Sequence, residues 1–327
     1  MKRRGWLFPA LFLLLVLAGG VSLLFGGARL PLARLLAAFR GRDEAAAIIL
    51  WSLRLPRVLL SMTVGAALAI AGALMQGVFQ NPMADPHILG VSSGAALGAA
   101  LGMALFGGVA ALPPLAFVFG LLAAGLVYAL SRGGSTVALL LAGTAVSACL
   151  SAMVSMLMLF HRDGLERVLL WTMGSFTMAG FDRLLICLPA TMVGLLGAMF
   201  LSGDLNALQL GDEQAASLGV RVGRTRLFAL LIASFMTAAA VSMSGIIGFV
   251  GLMVPHGVRL IAGPAHERLI PLSALGGAAL LCLTDTLARS LLAPMEIPVG
   301  VLTALLGGPF FLLLLRKNLK GGHGLGL

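Results

Sequence analysis

Apolar residues run along this chain in long unbroken blocks, with no strict alternation, and short polar or proline-rich turns separate the blocks. The blocks at 6–26, 56–79, 88–107, 112–130, 136–159, 183–202, 226–244, 246–262, 269–292 and 298–315 each approach the ~20 residues a helix needs to cross a bilayer. The pattern predicts an all-α polytopic membrane protein, one transmembrane domain over 1–327 with about ten helices. Around Gly245, SMSGIIGFVGLMVPH fits either one bent helix or a tight turn between two. The first block follows MKRR as a signal peptide would. At about 20 apolar residues it exceeds the roughly 7–15 of a secretory h-region, and it reads as a retained helix.

Composition agrees. With 60% hydrophobic and 10% charged residues and a mean hydropathy of +1.06, the chain lacks the polar groups to cover a soluble globule. The formal charge of +10 does not point to nucleic acid, because the basic residues sit between apolar blocks without interleaved aromatics. Cys149, Cys187 and Cys282 lie inside apolar blocks without C-x-x-C or Cys/His spacing, as small packing residues do. Glycine and alanine crowd VGAALAIAGALMQG and VSSGAALGAALGMALFGG, which reads as close helix packing.

Charge placement orients the chain. Lys2, Arg3 and Arg4 precede the first helix and Arg316, Lys317 and Lys320 follow the last, so an even number of spans puts both termini in the cytosol. Segment 27–55 is then external yet carries Arg29, Arg34, Arg40, Arg42 and Arg54. Either the topology is inverted or these arginines have a role.

Two polar interruptions carry more than a turn requires. In NPMADPHILG, Pro82 and Pro86 cannot continue a helix, while Asn81 and Asp85 can cap a new one. This is a helix–turn–helix connection or a constriction on a transport path. Segment 202–226, SGDLNALQLGDEQAASLGVRVGRTR, is too polar to span. Its Leu205, Leu208, Leu210, Ala215, Leu218 and Val220 recur at roughly helical spacing, which predicts two short amphipathic helices needing lipid or another protein on their apolar side.

The catalytic inventory is bare. There is no G-x-x-x-x-G-K-[ST], and every lysine is terminal, so the chain is not an ATPase on its own. His87, His161, His256 and His266 sit at helix ends and His323 in the tail, with no H-x-x-x-H or acidic partner at ligand spacing; neither a metal nor another cofactor is expected. Asp285 and Arg289 lie four apart, a spacing that suits a compensating pair, structural or functional. An ion-coupled secondary transporter would need coupling-ion ligands at broken helices, and a membrane-embedded enzyme would need clustered nucleophiles or acids.

Four stretches in order, LRLPRVLLSMTVGAALAIAGALMQGVFQNPMADPHILGVSSGAALGA, LNALQLGDEQAASLGV, GIIGFVGLMVPHGVRL and MEIPVGVLTALLGGPFFLLLLRK, resemble the FecCD-type permeases. These are the membrane subunits of ABC importers for iron–siderophore, haem and vitamin B12. The resemblance covers nearly the whole chain. It implies a type II importer permease fold in the bacterial cytoplasmic (inner) membrane. It also implies a second permease subunit, most simply an identical one, with the pathway at the two-fold axis. The partners it implies are separate ATP-binding cassette ATPase subunits, an external substrate-binding protein and membrane lipid. Iron–siderophore is the expected cargo, with haem or cobalamin as alternatives.

The resemblance also assigns residues. Cytosolic coupling helices at about 203–222 would dock into the ATPase through Leu205, Leu208, Gly211, Ala215, Leu218 and Gly219. As in the family's vitamin B12 permeases, a cytosolic gate would involve Asn81, Met83 and Thr136, although SRGGSTVALL departs from the pattern with paired glycines before the fifth helix. Arg54, Arg57 and Arg289 would meet glutamates of the binding protein, with Arg289 turned outward and away from Asp285.

Overall fold

Each apolar block forms a helix in the computed structural model, which describes residues 5–26, 31–131, 136–161 and 165–320. The spanning helices are α1 (Leu7–Leu24), α4 (Leu55–Val78), α5 (Val91–Phe106), α6 (Leu112–Leu130), α7 (Thr136–Phe160), α9 (Phe181–Phe200), α12 (Val222–Ser244), α13 (Val250–Ala262), α14 (His266–Ala288) and α15 (Val299–Lys320). Seven of them are long and apolar enough to cross a membrane alone; α5, α13 and α15 are shorter in apolar length. Short helices fill the connections: α2 (Leu32–Phe39), α3 (Glu44–Ile48), α8 (Leu165–Thr172), α10 (Ser202–Leu208) and α11 (Asp212–Ser217).

Helix boundaries follow the local chemistry. Pro113 opens α6, at a first-turn position where the missing amide is no loss, and Pro56 stands where the π turn at Ile49–Arg54 runs on into α4. The ambiguity at Gly245 resolves into two helices. Gly245 has φ +72°, and a Cβ there would strike the Trp171 carbonyl, so only glycine fits this turn.

Helix α4 is the axis of the bundle, buried along almost its entire length by α14, α12, α9 and α13. Its glycines set the spacing. Gly65 faces Gly277 of α14 and Gly72 faces Gly251 of α13, each close enough that a Cβ would overlap the opposing backbone. Lipid gives helices no hydrophobic reason to associate, so this close approach supplies the dispersion contact that holds them. The outer helices turn large apolar side chains away from the protein, among them Phe12, Leu17, Leu141, Met156, Leu196 and Leu312. Cys187 and Cys282 are buried in the packing, but Cys149 is exposed, on a face of α7 left uncovered among the described residues.

Segment 31–54 is a folded hairpin of α2 and α3, followed by a π turn at Ile49–Arg54. Leu35, Ala38, Ala46 and Leu50 form its small core against Leu23 and Leu24 of α1. Asp43 caps α3 by accepting from the Ala46 amide (2.9 Å) and binds Arg34 Nε (2.8 Å). These two bonds, Arg34 first, hold the Asp43 carboxyl below its usual range.

Candidate functional site

Polar side chains gather at the two ends of α4 and α14. At one end, α4 gives way to the NPMADPH turn. Asp85 Oδ1 accepts from the His87 amide (2.8 Å) and caps the short 3-10 turn Pro86–Leu89, as expected. Asn81 Oδ1 accepts from the Met83 amide (2.9 Å), but no helix begins there, so Asn81 closes a side-chain turn and caps no helix. His87 fixes the turn in the bundle: Nε2 meets the Ile247 carbonyl (3.0 Å) and Nδ1 meets Ser92 Oγ on α5. Asn81 is exposed and Met83 half-buried; Thr136, also half-buried, is the first residue of α7. The paired glycines of SRGGST lie outside the described residues. The turn meets α7 directly, since a Cβ at Gly143 would collide with the Ile88 carbonyl.

Beside this turn is a cleft of 660 Å³. Asp85, His87, Thr144 and Ser147 supply its polar side chains, and Leu140, Phe249 and Phe311 are among its apolar walls. Phe249 takes a left-handed backbone conformation (φ +67°), and its ring lies against the backbone of α15 at Gly307. A strained non-glycine residue in a cleft wall is a common mark of a functional surface. Among the described residues, no group of three His, Cys, Asp or Glu side chains could hold a metal ion.

The amphipathic segment lies at the same end and forms α10 and α11, as its spacing predicts. Leu205, Leu208 and Ala215 are fully buried against the bundle. Polar bonds tie the segment to three spanning helices. Gln80, just past α4, donates to the Leu208 carbonyl (2.6 Å). Arg226 and Thr225 of α12 bind Asp212 and Asp204 (2.8 Å each). Asn206 accepts from the His266 amide (2.8 Å) and donates to Glu267 (2.6 Å) on α14. Leu210 and Leu218 point outward, 57% and 65% exposed, and Gly219 is exposed beside them. The residues grouped by sequence as one contact set therefore divide. Leu205, Leu208 and Ala215 face inward, while Leu218 and Gly219 face out and Gly211 (φ +102°) makes the turn between the helices.

The arginines occupy the opposite end. Arg57 binds Asp285 through Nη2 (2.8 Å) and Nε (3.0 Å), and Glu296 through Nη2 (3.0 Å) and Nη1 (3.1 Å). Arg54 donates to the Leu23 carbonyl and Arg289 to the Ser22 carbonyl and Ser22 Oγ. The last carbonyls of a helix have no partner within it, and a cation there also meets the negative end of the helix dipole. Arg54 and Arg289 thus cap α1. The outward turn expected of Arg289 does not occur: it is 4% exposed and its Nε lies 3.5 Å from Asp285, because the end of α1 draws it in. Arg54 is likewise buried, at 5%. Arg57 and Glu296 alone of this cluster reach the surface.

Sequence reasoning missed the principal partner of Asp285, since Arg57 lies 228 positions away and no local spacing reveals it. It also missed the tie between Asn206 and His266, 60 positions apart.

Residues 13–317 match the FecCD transport family. The chain is 46% identical over 283 residues to the hemin transport system permease protein HmuU of Yersinia pestis, covering 82% of this chain and 83% of that protein. It is 41% identical over 311 residues to the Fe(3+) dicitrate transport system permease protein FecD of Escherichia coli, covering 94% and 98%. It is 45% identical over 282 residues to the cobalamin import system permease protein BtuC of Halobacterium salinarum, covering 85% and 76%. A solved structure described as an inward-facing conformation of a metal-chelate type ABC transporter superposes with a TM-score of 0.86 at 36% identity, over 95% of this chain and 98% of that one.

Proposed function

The chain belongs to the FecCD transport family, and on that premise we propose that it is the permease subunit of an ATP-driven importer for a metal chelate, with iron–siderophore the first candidate cargo. Haem and cobalamin follow, because relatives of similar identity are named for hemin, ferric dicitrate and cobalamin. The observation that carries the reading is the division of the α10–α11 segment. One side is anchored to α4, α12 and α14, and the other presents Leu210 and Leu218 outward. A rigid apolar knob on the face of a membrane bundle is what a separate ATPase needs in order to move the helices.

The same reading puts α10–α11 and both termini in the cytosol of a bacterial cell, the arginine end outside, and the 660 Å³ cleft on the pathway shared with a second, identical subunit. Asn81, Met83 and Thr136 then close the cytosolic mouth. Arg57 is the arginine available to the binding protein, and it would exchange Glu296 for a partner glutamate. The test is uptake into proteoliposomes holding the chain with its ATPase and binding protein, comparing ferric hydroxamate, hemin and cobalamin. ATP-dependent accumulation of one chelate supports the proposal. Accumulation driven by an ion gradient without ATP would replace it with secondary transport.

A further inference from the structure

Apart from Arg54, which caps α1, the hairpin at 31–54 takes no part in the sites above, yet it presents an apolar face. Its inner side packs on Leu23 and Leu24 at the end of α1. Its outer side carries Leu32, Leu36 and Phe39 at positions i, i+4 and i+7 of α2, Ile48 at the end of α3, and Trp51 and Leu53 in the π turn, all between 46% and 60% exposed. Phe39 and Trp51 meet edge to face, with ring centroids 5.7 Å apart. Polar groups border this face. Arg34 is neutralised by Asp43, which leaves Arg40, Arg42 and Glu44 as the hairpin's other exposed charges.

The position of this face identifies what covers it. Val21 and Phe25, on the last turn of α1 and just beyond it, are exposed at 40% and 48%. They belong to a spanning helix whose outer surface faces acyl chains, and the hairpin is seated on that same end of α1. Its apolar side chains therefore continue a lipid-facing surface past the end of the span, and the basic residues come where the hydrocarbon stops. Apolar and aromatic side chains with flanking arginines are what a helix lying in the membrane–water boundary requires. Arginine forks match phosphate oxygens.

We propose that the α2–α3 hairpin is a lipid-binding element, its outer face set in the phospholipid headgroup layer at the end of α1, with Arg40 and Arg42 taking phosphate oxygens. This accounts for basic residues on a face where orientation rules disfavour them. It depends on lipid contact alone and stands or falls apart from the choice of cargo.

The chain has three tryptophans, so the W6F/W171F variant reports Trp51 alone. In nanodiscs, lipid brominated near the headgroup end of its acyl chains is expected to quench Trp51 several-fold more than lipid brominated near the terminal methyl or aqueous iodide. Dominant quenching by iodide, or lipid quenching that disappears when the binding protein is added, would overturn the assignment. A second measurement needs no variant. Trypsin is expected to cut the native chain after Arg40 and Arg42 several-fold more slowly in nanodiscs containing phosphatidylglycerol than in nanodiscs of phosphatidylcholine. Equal rates would overturn the role of the arginines.

Discussion

Asp285, with no exposed side-chain surface, is held by Arg57 through both carboxylate oxygens, Nη2 at 2.8 Å and Nε at 3.0 Å. The pair joins α4 to α14 across 228 positions and carries Glu296 on its outer side. Removing one partner strands a charge in the bundle. Asp285→Asn is expected to cost about 3–5 kcal/mol, read as a lower midpoint in detergent thermal unfolding. The double change Asp285→Leu with Arg57→Leu is expected to recover only part of it, because Arg289, whose Nε lies 3.5 Å from Asp285, still loses its counter-charge. A single variant as stable as the parent would mean that water already screens the pair.

The division of α10–α11 separates two effects that one substitution would confuse. Leu218→Glu alters only the exposed side, so the permease midpoint is expected to stay unchanged while ATPase co-purification and uptake fall. Ala215→Lys forces a long side chain into a fully buried site and is expected to cost about 1–3 kcal/mol or more through overpacking. Normal coupling in Leu218→Glu would move the docking face elsewhere.

At the NPMADPH turn, Asn81→Ala removes the acceptor of the Met83 amide and is expected to cost about 1 kcal/mol without opening a path. Met83→Ala is expected to leave stability near the parent and raise passive leak from liposomes without ATP. A Met83 variant as tight as the parent would return the stretch to a plain turn.

Glycine seams make a sharper test of packing. Gly72→Ala puts a methyl into the Gly251 backbone of α13, which should lower the thermal midpoint by an amount corresponding to about 1–3 kcal/mol or more. Gly125→Ala on α6 meets nothing within 4 Å and should leave the midpoint within error. Equal midpoints for the two variants would show that α4 and α13 separate without penalty.

How far the sequence revealed this structure follows from the range of each interaction. The ten blocks and the amphipathic segment were legible because a helix buries or exposes residues at fixed local spacing. The cap at Asp85 and the turn bond at Asn81 were legible for the same reason, as each bond spans two residues. Helix α2 was legible in principle, because Leu32, Leu35, Leu36 and Phe39 have helical spacing. The pairs Arg57–Asp285 and Asn206–His266 were not legible, since they exist only once distant helices are side by side. The inward and outward sides of α10–α11 likewise depend on which leucines the bundle covers.

The enclosure of α4 also imposes an order in time. Gln76 donates to the Leu252 carbonyl 176 positions later, and Arg57 waits 228 positions for Asp285. At about 5–20 residues per second of synthesis, the interval between Arg57 and its partner is roughly 10–45 s. Through that interval the helix that ends as the most sheltered in the protein has neither its glycine seams nor its buried carboxylate. The nascent chain must keep a half-built bundle in the bilayer until its last third emerges from the ribosome, and any stop in translation before α14 leaves Arg57 without its buried counter-charge.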